Sequence, residues 1–344
     1  MKIQELGIKI GSGLPGMKNC ITDVAGVKVG HVTLDYAIDE EKGTYACTGV
    51  TAILPHSGNM FREKVTAASY VINGFGKTTG LVQVNELGLL ESPIMLTNTF
   101  GVPAVTQGTL QYMLEQSEEI GDSTGTVNIV VGECNDSYLN SIREMPVLPE
   151  HAIEAIKAAS NENVQEGAVG AGKGMVCFGY KGGIGTSSRI IKLEDDHTYT
   201  VGCLVLSNFG KQEEFVYARN KQIQEGLAES SDGSIIIVLA TDVPLSDRQL
   251  QRVAKRCGIG LGRTGSHFDH GSGDIVIAFS TAQKIQHHES GFKEMRWQVR
   301  EEHPIMRQLF ISAAEATEEA ILNSLLHATD TKGRNGHVVK AYQF

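Results

Sequence analysis

No run of 18 or more apolar residues occurs anywhere in the 344, which argues against a membrane-spanning helix. The opening, Met1-Lys2-Ile3-Gln4-Glu5-Leu6-Gly7, lacks the apolar stretch of a secretory signal, so a cytoplasmic protein is expected. Basic residues are in deficit. Thirty Lys+Arg stand against 40 Asp+Glu, a formal charge of −10, and a surface of that sign disfavours a nucleic-acid partner. Six cysteines (Cys20, Cys47, Cys134, Cys177, Cys203 and Cys257) show no CxxC spacing. Most lie in apolar runs, which fits buried reduced thiols better than disulfides or zinc. Proline is scarce, with 8 residues, while glycine is abundant, with 39. The glycines stand beside strand-like runs, where they read as tight turns and close backbone approaches. No low-complexity segment or internal repeat appears, and 41% hydrophobic with 20% charged residues is an ordinary globular balance.

The first half reads as short strands between glycine turns, with an alternating run at 27–34 and a continuous apolar run at 49–55. Leu110, Met113 and Leu114 predict a helix over 105–118. A strand at 127–134 ends in polar residues, and a short helix at 149–159 has proline and glutamate at its start. Two long strands, 174–180 and 199–206, are expected around a glycine-rich turn. The charged stretch from Lys211 to Asp232 reads as an exposed insertion, and 233–240 as a buried strand. Ser246-Asp247-Arg248-Gln249 is a capping box, with Leu245 and Leu250 placed for a hydrophobic staple. Leu250, Val253, Ala254 and Cys257 make one apolar face. Gly258 is the expected stop, followed by a loop from Ile259 to Ser266. After a buried strand at 274–280, a final helix at 311–327 buries Ala313, Ala316, Ala320, Leu322 and Leu325. It is expected to display Glu315, Glu318 and Glu319. Strands and helices alternate without a regular βαβ period, which points to a layered α/β sandwich with sheets covered by helices.

The junction Gly265-Ser266 carries the most chemical content. A Gly–Ser pair is ordinary turn punctuation. Here, however, it stands between a well-marked helix and an apolar strand, where the chain is placed to cut itself and expose Ser266 as a new N-terminus. An N-terminal serine carries its own general base, an α-amino group with an unperturbed pKa of roughly 7.7–8.0. That combination describes a self-activating N-terminal-nucleophile amidohydrolase. The segment from Gly167 to Gly174 is a near miss to a phosphate-binding loop. Gly174 stands where a hydroxyl should hold magnesium, and the helix and strand come in the reverse order. A tight turn lining a pocket with backbone amides is the better reading. His267 and His270 have no identifiable third ligand or carboxylate partner. Asn208, at the end of a long apolar strand, reads as a turn former or as an oxyanion donor. Glu133 reads as a solvated strand end or as an anchor for a substrate ammonium group. Thr317 and Glu319 read as solvent-facing, or as partners of the nucleophile and its amine.

Several segments, in this order, resemble the P1 family of serine aminopeptidases, the L-aminopeptidase/D-amidase/esterases and β-peptidyl aminopeptidases. They are Gly26-Val27-Lys28-Val29-Gly30-His31, Asn98-Thr99-Phe100-Gly101-Val102-Pro103 and Val131-Gly132-Glu133-Cys134-Asn135-Asp136. Further along come Gly182-Gly183-Ile184-Gly185-Thr186-Ser187-Ser188-Arg189, Ser207-Asn208-Phe209-Gly210, Arg263-Thr264-Gly265-Ser266 and Ala316-Thr317-Glu318-Glu319-Ala320. The resemblance implies a single N-terminal-nucleophile-like domain over 1–344, a four-layer αββα sandwich. It implies autocleavage into a large chain 1–265 and a small chain 266–344, assembled as a homo-oligomer, a tetramer of processed heterodimers. No metal or cofactor is implied. The substrates would be small peptides, amino-acid amides or esters. By position, Ser266 is the nucleophile, Asn208 contributes to the oxyanion site, and Thr317 with Glu319 supports the nucleophile. Glu133 lies near the substrate amine, and Asn135 and Tyr138 are candidates for the position of an active-site tyrosine. Thr317 keeps a hydroxyl where some relatives have serine. The 211–232 insertion is longer than in several relatives, which bears on rim specificity and assembly. An acyltransferase, a polyamide hydrolase and a non-catalytic oligomeric binding protein are the competing readings.

Overall fold

Long apolar runs become strands in this protein because both of their faces are covered. The computed structural model describes residues 2–194, 196–218, 233–288 and 291–344. The chain begins with three long strands, β1 (Lys28–Asp39), β2 (Thr44–Leu54) and β3 (Glu63–Gly74). Helix α1 (Leu81–Leu87), short strand β4 (Leu89–Leu90), β5 (Ile94–Asn98), α2 (Val102–Gln116), β6 (Val130–Cys134) and α3 (Pro149–Lys157) follow. A small hairpin, β7 (Val176–Cys177) and β8 (Tyr180–Lys181), precedes β9 (Gly183–Lys192), β10 (Thr198–Asn208) and β11 (Ser234–Thr241). Then come α4 (Asp247–Ala254), α5 (Cys257–Thr264), β12 (Gly273–Gln286), α6 (Ile305–Leu326) and a closing pair, β13 (Thr331–Lys332) with β14 (Val338–Val339).

Four strands form one sheet in the order β1-β2-β5-β6, and six form another in the order β4-β3-β12-β11-β10-β9. The pairs β5/β6 and β11/β12 are parallel, and the remaining pairs in both sheets are antiparallel. The two-residue period of a strand sorts β11 between two cores. Ile235, Ile237 and Leu239 pack with Leu250 and Val253 of α4, Leu261 of α5 and Ala313, Ala316 and Ala320 of α6. Ile236, Val238 and Ala240 point the other way and join Ile53, Ile94, Leu96 and Val130 of the smaller sheet. A third core sets Val50, Ala52, Met95 and Val131 against Val105 and Met113 of α2 and Ala152, Ala155 and Ile156 of α3. The fold is mixed α/β, with two sheets and helices packed on them. Among the described residues no helix is long and apolar enough to cross a membrane. All six cysteines are buried free thiols.

Four expectations need correction. The stretch 174–180 is not a long strand but a hairpin whose two central residues, Phe178 (φ 52°) and Gly179 (φ 73°), are both left-handed, as a type I′ turn demands. The long partner of β10 is β9, whose residues 183–185 (Gly-Ile-Gly) weaken any strand signal. Gly258 does not stop the helix, because α5 begins beside it and runs on to Thr264. Glu315, Glu318 and Glu319 are buried rather than displayed. In the 211–232 stretch, Phe215 is fully buried in the core, while 219–232 lie outside the described residues.

Helix α6 lies on the backbone of its neighbours. A β-carbon on Gly185 of β9 would overlap the Ala320 carbonyl oxygen, and one on Gly260 of α5 would overlap the Ala314 carbonyl oxygen. Backbone has no alternative rotamer, so overpacking of this kind costs about 1–3 kcal/mol even when the methyl added is the smallest possible. Gly185→Ala is therefore expected to lower the unfolding free energy by about that amount, read as a reduced urea midpoint at unchanged m-value.

Candidate active site

Strand register gathers several polar groups at one end of the larger sheet. Asn208 closes β10 opposite Ser234, the first residue of β11, and Ser234 pairs with Gly273, the first of β12. Gly273 in turn faces Gly74 at the end of β3. The smaller sheet reaches the same place, since Cys134 of β6 donates its thiol to the Leu206 carbonyl at 3.5 Å. A β-carbon on Gly76 would stand 3.8 Å from Glu133 Oε1 and 3.9 Å from the Gly273 Cα. Glu133 thus sits at the start of β12, the strand that Ser266 precedes.

The Gly265–Ser266 bond is held by both sides of the chain. Gly265 ends α5 in the left-handed region (φ 117°), its N–H donating to the Gly262 carbonyl at 3.1 Å. A β-carbon there would overlap the Glu214 carbonyl oxygen, so conformation and space both require glycine. The Ser266 hydroxyl accepts the Phe268 N–H at 3.3 Å, and Phe268 is itself left-handed at φ 57°. Asn73 ties down the rest of the loop by donating its amide to the Asp269 and Ser272 carbonyls. Beside the junction, Glu318 accepts the Tyr217 hydroxyl at 2.7 Å and pairs with Arg263 at 3.4 Å. Burial, together with that carboxylate, pushes the Tyr217 phenol up. Asn73 and Tyr217 were not singled out in the sequence, Arg263 entered only as part of a resembling segment, and Glu318 looked solvent-facing.

Each expected site residue has a definite place. Asn208 is buried; its Oδ1 accepts the Val176 N–H at 2.9 Å and its Nδ2 donates to the Asn135 carbonyl at 3.0 Å. Glu133, also buried, accepts the Lys77 N–H at 2.9 Å and the Thr99 hydroxyl. Asn135 is exposed and, with Thr99, Phe100, Ser137 and Arg143, lines an open cleft of about 540 Å³. Tyr138 turns away to stack on His337, ring centroids 4.8 Å apart. Thr317 is fully buried, its hydroxyl donating to the Ala313 carbonyl at 2.8 Å. Glu319 is equally buried and bound by Arg189 at 2.7 Å and Asn19 at 2.6 Å. Two residues apart on a helix, Thr317 and Glu319 point to different sides of α6. Among the described residues, none of the hydrogen bonds joins Ser266 to Asn208, Glu133, Thr317 or Glu319 in this uncut chain. His267 and His270 are exposed.

The sequence model of peptidase family S58 matches residues 19–339. The chain belongs to peptidase family S58. It is 38% identical to the β-peptidyl aminopeptidase BapA of Sphingosinicella microcystinivorans, covering 98% of this chain and 89% of that one. A crystal structure of a Pyrococcus horikoshii OT3 protein is 50% identical, with a TM-score of 0.91 over 100% of this chain and 96% of that one. The L-aminopeptidase D-Ala-esterase/amidase of Ochrobactrum anthropi is 33% identical, with a TM-score of 0.92 over 99% of this chain and 95% of that one. Its structure is described as a variant of the N-terminal-nucleophile hydrolase fold. The protein is thus a hydrolase of the serine aminopeptidase type.

Two buried carboxylates of this S58 peptidase separate stability from chemistry. Asp274, at the start of β12, accepts the Ser272 hydroxyl at 2.6 Å on Oδ1, while its buried Oδ2 has no protein partner. Burial pushes its pKa up to about 6. A carboxyl with a raised folded-state value holds its proton better in the fold, so stability is lost as pH rises through roughly 4 to 6. Asp274→Asn has no charge to acquire; its melting temperature should exceed wild type at pH 8 and match it near pH 3.5. Glu319 shares with Glu315 the fully buried Arg189. Glu319→Ala leaves that guanidinium with Glu315 alone and takes the acceptor from the Asn19 amide, and a loss of about 3 kcal/mol, the low end for breaking a buried pair, is expected in equilibrium unfolding.

Proposed function

We propose that this protein matures by cutting its own Gly265–Ser266 bond and then acts as an N-terminal-serine aminopeptidase. The layout of two sheets and their helices supports reading the fold as a four-layer αββα sandwich of the N-terminal-nucleophile kind. The observation that carries the proposal is the junction itself. A left-handed glycine, backed by the Glu214 carbonyl, is followed directly by Ser266, in the loop that leads into Gly273, the first residue of β12, which pairs with Ser234 opposite Asn208. In maturation, the Ser266 hydroxyl attacks the Gly265 carbonyl, the amide nitrogen leaves as an amine, and water hydrolyses the resulting ester. Chains 1–265 and 266–344 result.

In turnover, the freed α-amine of Ser266 takes the hydroxyl proton as Oγ attacks the carbonyl of a substrate's N-terminal residue. The Asn208 amide stabilises the oxyanion, the leaving amine or alcohol departs, and water releases the acyl group. Glu133 binds the substrate ammonium, and Asn135 opens the cleft that receives the rest of the substrate. Peptides, amino-acid amides and esters are the substrate class, in keeping with the β-peptidyl and L-aminopeptidase relatives. Thr317 and Glu319 serve by holding α6, and through Gly260 the helix α5 that ends at the junction. Assembly into a homo-oligomer of processed heterodimers belongs to the same proposal.

Intact-mass spectrometry under denaturing conditions tests it. Wild-type protein should resolve into two chains split after Gly265, whereas Ser266→Ala should remain one 344-residue chain with no amide or peptide hydrolysis. An active preparation that remains a single chain would overturn the proposal.

A further inference from the structure

Lys181 is fully buried, an expensive place for an ammonium group unless all its protons are bound. They are. Its Nζ donates to the carbonyls of Gly172 at 2.9 Å, Met175 at 2.7 Å and Gly182 at 2.8 Å, three acceptors for the three donors of a charged amine. Burial draws its pKa down to about 7, and nearby Asp136 opposes that pull. The glycine-rich loop that resembled a phosphate cradle therefore presents carbonyls, and the ion it holds is a cation from its own chain.

One of those carbonyls leads to the candidate site. The Met175 C=O and the Val176 N–H belong to one peptide group. Its oxygen receives Lys181, and its N–H donates to Asn208 Oδ1 at 2.9 Å. A charge bound at the oxygen polarises the amide and strengthens its N–H as a donor, and the effect passes along a hydrogen-bonded chain. The same bond decides which way the Asn208 amide faces, with Oδ1 on Val176 and Nδ2 on the Asn135 carbonyl beside the cleft. We infer that Lys181 is a positioning residue that acts through the Met175–Val176 peptide, orienting Asn208 and strengthening its amide as an oxyanion donor. The inference rests on the oxyanion role proposed for Asn208 and extends it to a residue that touches no substrate.

A double-mutant cycle on purified protein, with an amino-acid p-nitroanilide as substrate, tests the relay. Lys181→Met should lower kcat at least about tenfold with KM within about twofold, since a group acting on the transition state alone moves kcat. In an Asn208→Ala background the same change should cost nothing further, because the relay has no end to act on. Lys181→Gln offers amide donors without the charge, and it carries the same cycle if the methionine variant does not fold. A wild-type kcat in Lys181→Gln, or losses that multiply across the cycle, overturns the relay while leaving the oxyanion role intact. A wild-type kcat in Asn208→Ala overturns the oxyanion role and the relay together. If self-cleavage itself stalls in a variant, its rate from intact mass replaces kcat in the cycle with the same expected pattern.

Discussion

Backbone-to-backbone contact along α6 holds the rest of the molecule in place. The helix touches β9 at Gly185 and α5 at Gly260, and at both points a carbonyl of α6 occupies the space a side chain would need. Helices packed through ordinary side chains stand about 8–10 Å apart. Removing the side chain lets them close further and leaves little freedom to slide. The consequence runs to the candidate site. With α5 seated on α6, its last turn reaches the segment around Glu214, and Gly265 is caught between the helix end and that carbonyl. The Gly265–Ser266 peptide thereby occupies a definite place in the uncut chain.

The polar interior follows from the same close packing. From Ser312 to Leu325 every residue of α6 is buried, so the glutamates there had to find partners inside. Glu315 and Glu319 meet Arg189 of β9, and Glu318 meets Tyr217 and Arg263. Glu315 also accepts the N–H groups of Ser12 and Gly13, so the N-terminal segment is drawn onto the helix by charge as well as by the burial of Ile3 and Ile10. Lys181 is a separate solution to the same problem, with carbonyls in place of carboxylates. Where two sheets end together, Asn208 and Glu133 are each held by hydrogen bonds to neighbouring groups, the preorganisation that the proposed chemistry requires.

The strands were legible because a run of apolar residues with both faces covered leaves an unmistakable pattern, as in 233–240 and 274–280. The capping box at Ser246 was legible for a local reason, since the Gln249 N–H donates back to the Ser246 hydroxyl within one turn. Failures came where glycine stands for contact rather than for a turn. The glycines of 258–262 looked like a loop and belong to a helix that lies on α6 at Gly260. Those at 183 and 185 hid a long strand for the same reason. The hairpin at 176–181 was missed because Phe178 takes a left-handed conformation that its residue type does not advertise.

The residues of the proposed chemistry were present in the sequence as types and spacings: a glycine before a serine, an asparagine closing a strand, a glutamate near the end of another. Those features marked the Gly265–Ser266 junction, the strand content and the family, because each depends on neighbours in the chain or on pattern along it. The tertiary structure alone decided which carboxylates are inside, which asparagine faces the cleft, and which lysine stands behind Asn208. Such matters turn on approaches between segments far apart in sequence, and a hydrogen bond or a missing β-carbon across such a distance leaves no periodic trace in either partner.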